Sequence, residues 1–135
     1  MRGTYILLIE IKNKKTIEIG RLGLISFERG FYAYVGSALN NLEKRIKRHI
    51  TKKKKIYWHI DYLLQIGNVI NVFYLDNNKK EECNIAKKLE NILFAVTGFG
   101  CSDCKCETHL FYGANKDIYK AITDLNMINY FNAKT

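Results

Sequence analysis

A chain of 135 residues, 47% of them hydrophobic, has the size of one domain and can bury one core, so residues 1–135 are read as a single domain. No apolar run approaches the roughly 20 residues that cross a bilayer, and the N-terminal MRGTYILLIEI meets Glu10 and Lys12 without a small-residue cleavage site; a signal peptide and a membrane partner are not expected, and a cytoplasmic protein is. The net charge of +9, from 22 Lys and Arg against 13 Asp and Glu, argues for polyanionic partners, nucleic acid first.

In chain order, residues 3–12 set Tyr5, Leu7 and Ile9 against Ile6, Leu8 and Glu10, which predicts a strand. The turn Asn13-Lys14-Lys15 leads to residues 16–19, the expected hairpin partner. A glycine-punctuated stretch from Gly20 to Gly30 reaches a third strand over 31–35. Asn40 with Glu43 three residues on forms a capping-box pattern, and Leu39, Leu42, Ile46 and Ile50 share one helical stripe. A short helix over 57–65 ends at Gly67, and a strand follows over 69–75. The turn Asp76-Asn77-Asn78 opens a helix over 80–95. Residues 109–112 form a last short strand, and Asn115 caps a final helix that ends near Leu125. Early strands with later helices predict an α+β fold, a small, largely antiparallel central sheet flanked by helices.

Helical geometry sorts the polar residues. At about 100° per residue, His49 falls about 20° and Arg45 about 60° to one side of Leu42, at the edge of the buried stripe and facing the sheet. Lys44, Lys47 and Arg48 point outward with the run that contains Lys52 and Lys53, a face for tracking phosphates or a merely solvated one. On the later helix Glu82 falls among Ile85, Leu89 and Leu93. A carboxylate there needs a partner or a metal, unless it only faces the positive end of the helix dipole. In Trp58-His59-Ile60-Asp61-Tyr62, His59 and Asp61 do not face each other on a helix. Trp58 packed on Tyr62 is the structural reading, and substrate contact through His59 the functional one. Cys101, Cys104, Cys106 and His109 are four zinc-ligand types within nine residues. Closing a tetrahedron there is tight, so reduced cysteines packing a loop are expected over a structural Zn²⁺ or a disulfide.

The combination of Gly3-Thr4-Tyr5, Tyr34-Val35-Gly36-Ser37, Arg45 and His49 resembles the GIY-YIG nuclease superfamily. The likeness is to one branch, long filed as a domain of unknown function and sometimes fused to endonuclease III. Its blocks are residues 30–38, Trp58 to Leu63, Glu82-Cys83, and Gly98 to Tyr112, spanning about residues 3–125. The two tyrosine motifs lie farther apart than is usual there, with an extra N-terminal hairpin arm between them, and no residue matches the superfamily's late asparagine.

The resemblance implies a GIY-YIG-like fold and hydrolysis of phosphodiester bonds in DNA, or less favoured RNA, with one Mg²⁺ or Mn²⁺ ion; the endonuclease would be structure-selective and fit DNA repair. Tyr5, Tyr34, Arg45 and His49 would be catalytic and Glu82 the metal ligand. Lys44, Lys47, Arg48, Lys52, Lys53 and His59 would contact nucleic acid. Arg45 would clamp the phosphate, and one tyrosine would orient or deprotonate the attacking water. The alternative is a non-catalytic nucleic-acid-binding module on the same fold.

Overall fold

The computed structural model describes residues 2–38, 40–52, 55–76, 81–99 and 108–133. In chain order its elements are β1 (Gly3–Ile11), β2 (Lys15–Ile19), β3 (Gly23–Phe27), β4 (Gly30–Ala38), α1 (Leu42–Ile50), α2 (His59–Ile66), β5 (Asn68–Asp76), α3 (Glu82–Glu90), β6 (Phe94–Ala95), β7 (Leu110–Gly113), α4 (Asn115–Asp124), β8 (Ile128–Asn129) and a four-residue α5 (Tyr130–Ala133). The α+β expectation holds: a six-stranded antiparallel sheet, ordered β6-β7-β4-β1-β5-β8, carries helices on both faces. Among the described residues, no helix is long and apolar enough to cross a membrane.

β1 is apolar on both sides because both sides are covered. Tyr5, Leu7, Ile9 and Ile11 pack with Leu42 and Ile46 of α1, Ile60, Leu63 and Leu64 of α2, and Ile19 and Phe27 of the β2–β3 hairpin. Ile6 and Leu8 point the other way, into Ile85, Ala86 and Leu89 of α3 and Ile118, Ala121 and Ile122 of α4. Burying such side chains is worth about 1.5–3 kcal/mol each, which favours a central place for this strand. Its neighbours are β4, with Tyr5 opposite Gly36 and Leu7 opposite Tyr34, and β5, with Tyr5 opposite Tyr74.

That central place corrects one expectation. With both edges of β1 taken by β4 and β5, β2 has no edge to join; it pairs with β3 as a separate two-stranded sheet. This is the hairpin arm between the two tyrosine motifs, and its apolar face lies on the α2 side of the core.

Helix ends account for the other differences. Asn41, not Asn40, caps α1: its backbone is left-handed (φ 49°) and its side chain accepts the Lys44 amide at 3.1 Å. Asn tolerates that conformation better than most residues. Ile50 is 38% exposed because α1 ends there and Thr51 is extended. Helix α3 stops at Glu90, short of the predicted residue 95, since Phe94 and Ala95 pair with Tyr112 and Phe111. That pairing overrides a helical periodicity continued by Ile92 and Leu93. Ala114, with an extended backbone, caps α4, and Asn115 is its first helical residue. The strand at 110–113 is followed by one more, β8, on the far edge beside β5. The expected positions of Leu39 in the stripe and Lys80 at a helix start lie outside the described residues.

Candidate active site

The two tyrosines lie side by side on the α1–α2 face of the sheet. Tyr5 on β1 is directly opposite Gly36 on β4, and the phenol ring lies over that glycine. A Cβ on residue 36 would come within 2.4 Å of the Tyr5 Cζ and Oη. Gly36 is therefore a matter of close approach, with no unusual backbone needed. Tyr34, two residues earlier, shares the face with its ring edge toward His49 at 6.2 Å.

Helix α1 covers these rings and supplies Arg45 and His49 from successive turns, as its geometry predicted. His49, 2% exposed, has Nε2 at 2.7 Å from the Tyr5 hydroxyl. Arg45 donates to the Ser37 carbonyl at 3.3 Å, and its charge acts on the Tyr5 phenol. Burial pushes the Tyr5 phenol well above its ordinary value, and the Arg45 guanidinium only partly offsets it. Tyr34 is pushed up in the same way by burial, then by Tyr5 and Glu82. Both phenols hold their protons at neutral pH, and the Tyr5 hydroxyl shares with His49 Nε2 a hydrogen bond whose donor is set by the imidazole tautomer.

A second group, missed in the sequence, fixes α1 to α2. Asp61 is fully buried and accepts four hydrogen bonds. Arg48 Nη1 and Nη2 donate to its two oxygens at 2.9 Å each, and the amides of Tyr57 and Trp58 donate to Oδ2 at 2.8 Å. Burial alone would raise its pKa, but the Arg48 hydrogen bonds and those amides hold the carboxyl below its usual range. Asp61 also donates its own amide to Trp58 O, closing the first turn of α2. Trp58 carries two guanidiniums against its ring, with Arg45 Cζ 4.7 Å and Arg48 Cζ 4.4 Å from the centroid. Its ring neighbours are His49 and Tyr57. The expected Trp58–Tyr62 pairing is replaced because α2 starts at His59 and leaves Trp58 on extended backbone. An acidic residue three positions after the cap was the available signal; its arginine partner was not visible in the sequence.

Glu82 comes from the opposite layer. It opens α3, and its charge is felt by both Tyr5 and Tyr34. Its side chain is 14% exposed, with Oε2 3.9 Å from His109 Nδ1. The His109 Nε2 is 3.9 Å from Cys83 Sγ. A single hard carboxylate with access to solvent fits Mg²⁺ or Mn²⁺, which keeps most of its waters. Cys101, Cys104 and Cys106, the other ligands of the zinc expectation, lie outside the described residues.

The residues expected to touch nucleic acid divide. Lys44 and Lys47 are exposed on α1. Arg48 does not point freely outward as expected, because Asp61 draws it inward and leaves it 28% exposed. Lys52 donates to the carbonyls of Leu64 and Gly67, serving the C-terminal end of α2. His59 stands edge-on to Phe99 at 6.2 Å, and Lys53 is outside the described residues. A shallow cleft lined by Asn40, Asn41, Lys44, Arg45 and Arg48 opens beside Trp58.

A family model described as Domain of unknown function DUF123 matches residues 4–129. No curated protein and no solved structure matches the chain.

Proposed function

The chain belongs to the DUF123 family, and we propose that it is a metal-dependent endonuclease that hydrolyses phosphodiester bonds in nucleic acid, DNA in preference to RNA. The observation that carries this reading is the convergence on one hydroxyl: Tyr5 is hydrogen-bonded to His49 at 2.7 Å, and the charges of Arg45 and Glu82 both act on its phenol and on that of Tyr34. These are the residues that resemble the GIY-YIG nucleases in sequence, and their juxtaposition supports that finer kinship.

Each residue then has a task. Arg45 half-emerges into the cleft, where its planar fork can clamp a phosphate and stabilise charge as the bond breaks. Tyr5 takes a proton from the attacking water while passing its own to His49 Nε2. The relay never forms a free phenolate, which suits a phenol whose pKa burial has raised. Tyr34, on the same face of the sheet, orients the water. Mg²⁺ or Mn²⁺ at Glu82 would polarise a phosphoryl oxygen and stabilise the leaving oxygen.

The test is cleavage of duplex, flap, branched and single-stranded DNA and RNA in Mg²⁺ and in Mn²⁺. Arg45→Ala and Glu82→Ala should each lower the rate by on the order of 10²-fold or more. Cleavage in neither metal, or cleavage untouched by both changes, would overturn the reading. Tight binding without cleavage would instead favour a non-catalytic nucleic-acid-binding module.

A further inference from the structure

Tyr57 is anomalous. It is 78% exposed, the most exposed large hydrophobic side chain among the described residues. Its backbone, however, is anchored. Its amide is held by the buried Asp61 carboxylate at 2.8 Å, and Arg48 locks that carboxylate from the other side. Its ring stands edge-on to Trp58 at 5.2 Å and 82°. A large apolar ring left in water on a fixed mount offers stacking surface at little entropic cost to a ligand.

The surroundings say what kind of ligand. Trp58 carries Arg45 and Arg48 on its ring, and those two arginines with Lys44 line the adjacent cleft. The nearby carboxylate, Asp61, is buried and already neutralised by Arg48. Lys55 is exposed just before this segment. The patch is therefore an aromatic face beside a cationic cleft, complementary to a base next to its phosphate. A base inside a duplex keeps its faces covered by neighbours, whereas an unpaired base can turn one outward.

We infer that Tyr57 is a stacking platform for an unpaired nucleobase next to the phosphate in the Arg45 cleft, so that the site takes single-stranded or locally unpaired nucleic acid. This rests on the nuclease reading and narrows its substrate class. Tyr57 is then a specificity-determining residue, separated from His49 of the proton relay by the Trp58 ring.

Trp58 is the chain's only tryptophan, so its fluorescence reports binding beside Tyr57. The full chain is titrated, without metal, with a single strand of about 12 nucleotides, with its duplex, and with a duplex carrying one unpaired base. Tyr57→Ala should weaken binding of the single strand and of the unpaired-base duplex by about 10-fold. It should leave the perfect duplex unchanged, and Tyr57→Phe should restore wild-type binding. Equal losses on all three substrates, or no loss on any, would overturn the inference. So would restoration by Tyr57→Leu as complete as by Tyr57→Phe, which would indicate a general apolar contact such as a protein surface. The two readings fail separately. Tyr57-dependent binding with no cleavage sinks the nuclease alone, and cleavage indifferent to Tyr57→Ala on every substrate sinks the platform alone. A chain that binds none of the oligonucleotides loses both.

Discussion

Single atoms decide much of this site. The 2.4 Å approach that a Cβ on residue 36 would make to the Tyr5 ring has nowhere to go, since Tyr5 is 1% exposed. Gly36→Ala should therefore drive the phenol off His49 and lower stability by about 1–3 kcal/mol, read by thermal melting. Cleavage should fall as far as in Tyr5→Phe; an unshifted melt would show that the ring has room to move. Thr4 beside it is the opposite case. It is completely buried, and its hydroxyl has no hydrogen-bond partner among the described residues. Thr4→Val keeps the shape and removes that burden, so it should stabilise by about 1 kcal/mol, and a lower melting temperature would refute the account. At this scale the sequence was informative where chemistry is local. Arg45 and His49 are one turn apart, and the helical repeat alone turned both toward the sheet. Arg48 was misjudged for the same reason: its outward angle is real, but Asp61 bends the side chain back, and that partner is on another helix.

Elements were legible wherever one rule acted alone. The pattern of β1 was read to within one residue, and the stripe of α1 correctly at its centre but not at its cap. Caps and strand edges are settled by neighbours: Asn41 over Asn40, β3 over β1 as the partner of β2, β7 drawing Phe94 out of the α3 periodicity. The join of α1 to α2 through Arg48 and Asp61 carries a prediction of its own. Arg48 is 28% exposed and can turn to solvent, so Asp61→Ala should lose about 1–3 kcal/mol, chiefly through the two amides left without their acceptor, while also freeing Trp58, seen as a red shift of its emission. The pH dependence has a definite sign. Because the folded pKa of Asp61 is below that of the unfolded chain, its contribution is complete above the ordinary Asp pKa of about 3.9. It is lost as pH falls below that value toward the depressed folded one. Wild-type melting temperature should drop across that acid window, and Asp61→Ala should lack this share of the drop.

For the molecule as a whole, charge sets the first encounter. With a formal +9 and with Lys44 and Lys47 exposed on the helix above the cleft, nucleic-acid binding should be strongly salt-dependent. A footprint of about five phosphates loses on the order of 500-fold in affinity on duplex DNA, and on the order of 100-fold on a single strand, between about 50 and 200 mM salt. A flat salt titration would mean that the excess charge is unrelated to binding. The three-layer arrangement has a further consequence, for synthesis on the ribosome. The strand at the middle of the sheet is the earliest of the sheet's strands to emerge, and its two partners come much later: Gly3 waits for Ala38 on one edge and Asp76 on the other. Until then Tyr5-Ile6-Leu7-Leu8-Ile9 is an uncharged, β-prone stretch with both edges open, the kind of segment that aggregates or recruits a chaperone. Pairings so distant along the chain also slow folding. The strand that ends up best protected in the native protein is thus the one left longest unprotected while the protein is being made.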